Sequence, residues 1–283
     1  KPKEALELCR RTAPASNDPI VWTLLAQAQL TVGNLKDAAA AYGHAITLRP
    51  QRLAYYQAYL RVRLLYESLN EAVAGFVRVA DADHSLVKIA HAQALVQRGN
   101  VLAALTLYVE IERDDEAKID AKWLARFYRA ELLSRVGQFE RALETLNMLD
   151  DAGVLGQRAE LLKVAILIRT NKQPESFVVL DELGKRMVRE KNSHRIVEIA
   201  QLWMKLGHGD RAMALAKALQ KIVPGTVEPL MLESQALTVM KKFSAAEACL
   251  QTARTIQPDN QTVLLAIARS QANRREWNRA VAT

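Results

Sequence analysis

Residues 18–50 read DPIVWTLLAQAQLTVGNLKDAAAAYGHAITLRP, and the rest of the chain varies on this stretch. Asp18 suits a helix start because its carboxylate accepts the orphan N–H groups of a first turn. Pro19 suits the first helical position, where no N–H is needed. Trp22, Leu25, Ala26 and Leu30 then fall at helical spacing. Gly33-Asn34 marks a turn, since glycine tolerates the left-handed backbone that ends a helix. A second helix is expected from about Leu35, with Leu35, Ala38, Tyr42, Ala45, Ile46 and Leu48 on its apolar side and Pro50 closing it. Large residues (Trp22, Leu25, Tyr42) face places where small ones (Ala26, Ala38, Ala45) let a second helix come close. A pair of this length buries too little surface to stand alone, so it needs neighbours.

Counting finds the neighbours. Gly33 precedes the small residue Ala38 by five, and the offset recurs at Gly99/Ala104, Gly137/Ala142 and Gly207/Ala212. Polar residues stand in for the glycine at Glu67/Ala72, Asn171/Ser176, Lys241/Ala246 and Arg275/Ala280, and Ala5 is an earlier copy of the small residue. Successive small residues are 33, 34, 32, 38, 34, 36, 34 and 34 apart. A large residue four further on (Tyr42, Phe76, Tyr108, Leu146, Leu250) moves with them, as do the closing prolines Pro50, Pro224 and Pro258.

This pattern resembles the tetratricopeptide repeat. Trp22, Leu25, Ala26, Gly33, Ala38, Tyr42, Ala45 and Pro50 match that family's signature almost one for one, and Ala246, Leu250 and Ala253 repeat the second-helix part. The resemblance implies an all-α fold, a right-handed α-solenoid of stacked antiparallel helix pairs, here a single superhelical domain over residues 1–283. A half repeat at 1–14 would supply a second helix alone. Repeats would follow at about 19–52, 53–84, 85–119, 120–156, 157–192, 193–226 and 227–260, with a partial one at 261–283. The chain opens in mid-helix without a starting Met, both ends cut through units, and no polar cap is visible; it reads as a piece of a longer protein. The 38-residue spacing places an insert in the acidic connector Arg113–Asp120. The 36-residue spacing places another around Arg189–Ser193, beside a basic run. Each is expected as a longer solvated loop.

Composition agrees with a folded helical chain: half of the 283 residues are hydrophobic, with 11 Gly and 8 Pro. The net charge is +8, which permits acidic partners, though acidic stretches such as Asp114-Asp115-Glu116 interrupt it. Cys9 and Cys249 lie far apart in a stacked rod, which argues against a mutual disulfide. Few cysteines suit the cytoplasm, and also a periplasmic protein without disulfides. No apolar run approaches the ~20 residues of a membrane span.

The resemblance also implies where a ligand sits, on the first helices of each pair. Phase from the turn residue picks Thr23, Gln27, Leu30 and Thr31, then Gln57, Arg61, Leu64 and Leu65, then Ile89, Gln93, Val96 and Gln97. Phe127, Glu131, Ser134 and Arg135 follow, and later Val197, Gln201, Met204, Lys205, Met231, Gln235, Thr238, Val239, Leu265, Arg269 and Asn273. The candidate groove residues are Gln27, Thr31, Arg61, Gln93, Gln97, Glu131, Arg135, Gln201, Lys205, Gln235, Arg269 and Asn273. Their amide and charged side chains suit the backbone of an extended peptide, because an amide both donates and accepts. Some members of the family grip acidic chaperone tails with a Lys/Asn clamp, but Thr23/Gln27 and Gln57/Arg61 stand at those positions here. Tyr55, Tyr56, Tyr59 and Tyr66 with Arg52, Arg61 and Arg63 read as packing between units or as a binding patch.

No catalytic constellation is apparent. The five histidines lack metal-ligand spacing, and no HExxH, CxxC or phosphate-binding glycine loop occurs. The expected function is a non-catalytic interaction scaffold that takes a protein partner, as an extended peptide or a helix, with no cofactor and no metal. Alternatives are the recognition arm of a glycosyltransferase, a sulfotransferase or a secretion system, or an RNA-binding helical repeat. Trp22, Ala26 and Pro50 favour a protein partner over nucleic acid.

Overall fold

The computed structural model describes residues 2–149 and 153–273, and every regular element among them is helical. After α1 (Pro2–Thr12), helices come in pairs: α2 (Pro19–Thr31) with α3 (Leu35–Leu48), and α4 (Leu53–Arg63) with α5 (Leu69–Ala74) and its 3-10 extension Gly75–Arg78. Next are α6 (His84–Gln97) with α7 (Val101–Arg113), and α8 (Ile119–Arg135) with α9 (Phe139–Asn147). Then come α10 (Val154–Arg169) with α11 (Gln173–Arg189), α12 (Ser193–Lys205) with α13 (Gly209–Ile222), and α14 (Glu228–Val239) with α15 (Phe243–Ile256). The last described helix is α16 (Gln261–Asn273); Arg275 and Ala280 lie outside the described residues. The chain is an all-α helical-repeat solenoid of tetratricopeptide-like pairs. It divides into two compact units, Lys1–Ile166 and Leu167–Thr283.

One turn is used again and again. Asp18 caps α2 through its side chain to Ile20 N, as its position suggests. At the far end Gly33 N donates to Leu30 O and Asn34 N to Gln29 O, the bond pair of a Schellman turn, with Gly33 at φ +82°. Gly99, Gly137 and Gly207 repeat this geometry at φ +79°, +82° and +84°. Asn171 and Lys241 adopt the same left-handed backbone at +59° and +60° without being glycine. Glu67 does not: it is absent from the left-handed residues, and Glu67 N instead donates to Arg63 O. There α5 restarts on a capping box, in which Ser68 and Glu71 bond each other's backbone N–H.

Packing follows the large/small scheme. Ala38, Ala72, Ala104, Ala142, Ser176, Ala212 and Ala246 are wholly buried, and Tyr42, Phe76, Tyr108, Leu146 and Leu250 are buried beside them. Ala5 is exposed. In the first unit a half-buried ionic cluster adds to the apolar core. Glu112 of α7 meets Arg126 Nε at 3.2 Å and Arg129 Nε at 3.1 Å from α8, and Arg129 reaches on to Thr145 of α9. In the second unit Leu230, Leu250, Ala253, Val263 and Ile267 form one cluster.

The two inserts resolve differently from expectation. Asp114–Lys118 is a short connector, and the remaining extra length lies in α8, which has 17 residues. The second insert is not a loop at all. It extends α11 to 17 residues, because Leu183 and Met187 stay in the core and keep the helix worth continuing. Lys191 then closes it at φ +54°.

Candidate functional site

Three first helices of the first unit, α4, α6 and α8, enclose a groove of about 490 Å³. Its floor is apolar: Leu60, Ala90, Ala94, Leu132 and the ring of Tyr108 are all buried. Leu64, Leu65 and Val96 form an apolar edge, and Leu65 is 62% exposed there. Volume and mixed lining match the concave, mostly apolar sites that hold ligands with a few fixed polar groups.

The polar groups are those the phase selects. Arg61, Gln93, Gln97, Glu131 and Arg135 line this one groove together with Gln57. Gln57 Nε2 donates to Gln93 Oε1 at 2.7 Å, tying α4 to α6. That leaves the Gln93 amide N–H groups and the Gln57 carbonyl for a ligand. Arg135 Nη2 and Glu131 Oε1 form an ion pair at 2.7 Å one turn apart on α8. Arg61 is exposed and has no partner of opposite charge among the described residues. Burial raises the pKa of the Tyr108 phenol strongly, helped by Tyr128 and Glu131 and opposed by Arg135. It therefore stays a neutral phenol at the groove floor.

The remaining candidates are placed elsewhere. Gln27 and Thr31 are exposed on α2, where the Thr31 hydroxyl donates to Ala28 O at 2.7 Å, and neither lines the groove. Gln201, Lys205, Gln235 and Arg269 are exposed on α12, α14 and α16 in the other unit. Asn273 ends α16, and its side chain lies outside the described residues. Three inward assignments are corrected: Ile89, Phe127 and Ser134 are buried, because those turns of α6 and α8 are covered by the packing of adjacent helices. Leu60, Tyr108 and Leu132 are groove residues that phase alone missed, since it selects exposed polar positions rather than the floor between helices.

The tyrosine patch divides too. Tyr56 and Tyr59 are buried: Tyr56 Oη donates to Pro50 O at 2.6 Å and accepts from Asp83 N, and Tyr59 Oη donates to Gly75 O. Tyr56 ties together the loops at either end of its repeat, Tyr59 ties α4 to the 3-10 segment of its own pair, and only Arg61 of the patch reaches the groove.

No family model and no curated protein matches the chain. Solved structures that resemble it include Naa15/Naa10 bound to HypK-THB, at 12% identity over 99% of this chain and 60% of that one, TM-score 0.36. Another is a tetratricopeptide repeat protein from Parabacteroides merdae, at 15% identity over 89% and 98%, TM-score 0.42. A third is yeast Tom70, at 9% identity over 99% and 87%, TM-score 0.40. The chain thus spans 60% of the length of the first of these.

Proposed function

We propose that the chain is a non-catalytic interaction scaffold whose first-unit groove takes a segment of a protein partner in extended form. The observation that carries this reading is the Gln57–Gln93 pair over an apolar floor. Side-chain amides with donors and a carbonyl to spare match the alternating N–H and C=O of a peptide backbone. The floor and Leu65 supply apolar area for its side chains, and Arg61 favours an acidic residue at one end. Within hydrogen-bond reach of the groove lie amides, one ion pair and a neutral phenol, a set suited to holding rather than to reacting.

A random peptide library displayed on phage, panned on the folded chain, tests this. Selected peptides are expected to bind the Arg61→Ala/Gln93→Ala variant at least about tenfold more weakly while its helical circular dichroism is retained, with a small loss of melting temperature from the Gln57–Gln93 bond. Peptides that bind the variant as well as the parent would place recognition elsewhere.

A further inference from the structure

The repeat rule fails at one place, and a second cavity sits there. At Glu67 the left-handed turn is missing, and α5 runs only six residues before the 3-10 segment Gly75–Arg78. Local rules that break in an otherwise regular fold point to a site. The shortened helix opens a space of about 620 Å³ against α3, on the side of α4 that carries Tyr59 and Arg63 rather than Arg61. Its lining brings Lys36, His44, Arg63 and Arg78 together with a single acid, Glu67.

That acid is already committed. Arg63 Nε donates to Glu67 Oε2 at 2.7 Å, and Arg63 Nη1 donates to Tyr59 Oη at 2.9 Å. The guanidinium is thus held rigidly and still has N–H groups beyond those the two acceptors use. Gly75 makes the room: a Cβ there would stand 2.2 Å from Arg63 Cζ. Gly43 keeps the α3 wall low, and His44 is fixed by stacking on Trp22 at 4.3 Å between ring centroids. Lys36 and Arg78, both exposed, have no ion-pair partner among the described residues.

The structure assigns this cavity as a binding site for a phosphate monoester, the dianionic group of a phosphorylated side chain or of a small phosphate. A held, neutralised guanidinium fixes direction, and two uncompensated cations supply the charge such a group needs. The site lies apart from the first-helix groove and does not depend on what binds there.

The test follows the Arg63 Nε–Hε resonance by NMR in the folded chain. Titrants are inorganic phosphate, a short peptide with one phosphoserine, and the same peptide unphosphorylated. A saturable shift with a phosphate-bearing titrant and none with the unphosphorylated peptide is expected, weakened about tenfold or more in Lys36→Gln/Arg78→Gln. A response to inorganic phosphate as strong as to the phosphopeptide would make a small free phosphate the ligand. A response to the phosphopeptide alone would make it a modified partner. No shift with either phosphate probe, or an undiminished shift in the double variant, would overturn the assignment.

Discussion

Gly209, the first residue of α13, shows how little slack the stack has. A Cβ at this position would lie 2.6 Å from Met240 Cγ and 2.7 Å from the backbone oxygen of Ala236. The methionine can swing away, but the carbonyl belongs to α14 and cannot. Gly209→Ala should therefore destabilise the second unit by about 1–3 kcal/mol, visible as a lower urea midpoint. Tyr56 makes a different kind of commitment. Burial pushes its pKa up to about 12, so the folded chain holds the proton through the range in which an unfolded tyrosine loses it. Stability from this residue is whole below pH 10 and is lost as pH rises from about 10 towards 12. Tyr56→Phe should weaken the fold at pH 7, where two hydrogen bonds go, yet show a shallower loss of stability between pH 10 and 12 than the parent in alkaline urea titrations.

Among elements, the helix pairs were readable because one turn geometry recurs with one small residue five positions on. Asn171 and Lys241 take the left-handed turn position although they are not glycine, and the surrounding spacing marks them. Glu67 stands at the same spacing and also lies in the turn, but without the left-handed backbone. What separates it is the pair of residues that follows: Ser68 and Glu71 form a capping box that starts a new helix without a left-handed residue before it. Ser68→Ala should cost about 1 kcal/mol and raise amide exchange first in α5, because a six-residue helix has little else to hold its N-terminus. Five of the polar positions that phase selects, Arg61, Gln93, Gln97, Glu131 and Arg135, line one groove, whose floor phase does not reach. Phase along one helix says which side chains point away from its partner. It does not say where the next pair covers them, which is why Ile89 and Phe127 were misplaced.

At the scale of the whole molecule, helices pack chiefly on those next to them in sequence, and each compact unit carries its own apolar cluster. Stability in such a fold approximates a sum of local and nearest-neighbour contributions rather than one all-or-none balance. Ile267→Ala, which empties a fully buried site in the second unit, should cost about 2–5 kcal/mol there. Hydrogen exchange in α14–α16 should speed up while protection in α2–α4 stays as it was. Uniform loss of protection along the chain would refute this local cooperativity.

The Gln57–Gln93 bond carries a consequence for timing. It already joins two of the three helices that line the groove, so that part of the groove does not have to assemble around its guest. An incoming strand finds its partners already held in place, and a departing one leaves the Gln57–Gln93 bond intact. Encounters in such a groove are expected to be quick at both ends, with long residence coming only from engagement of several pockets at once.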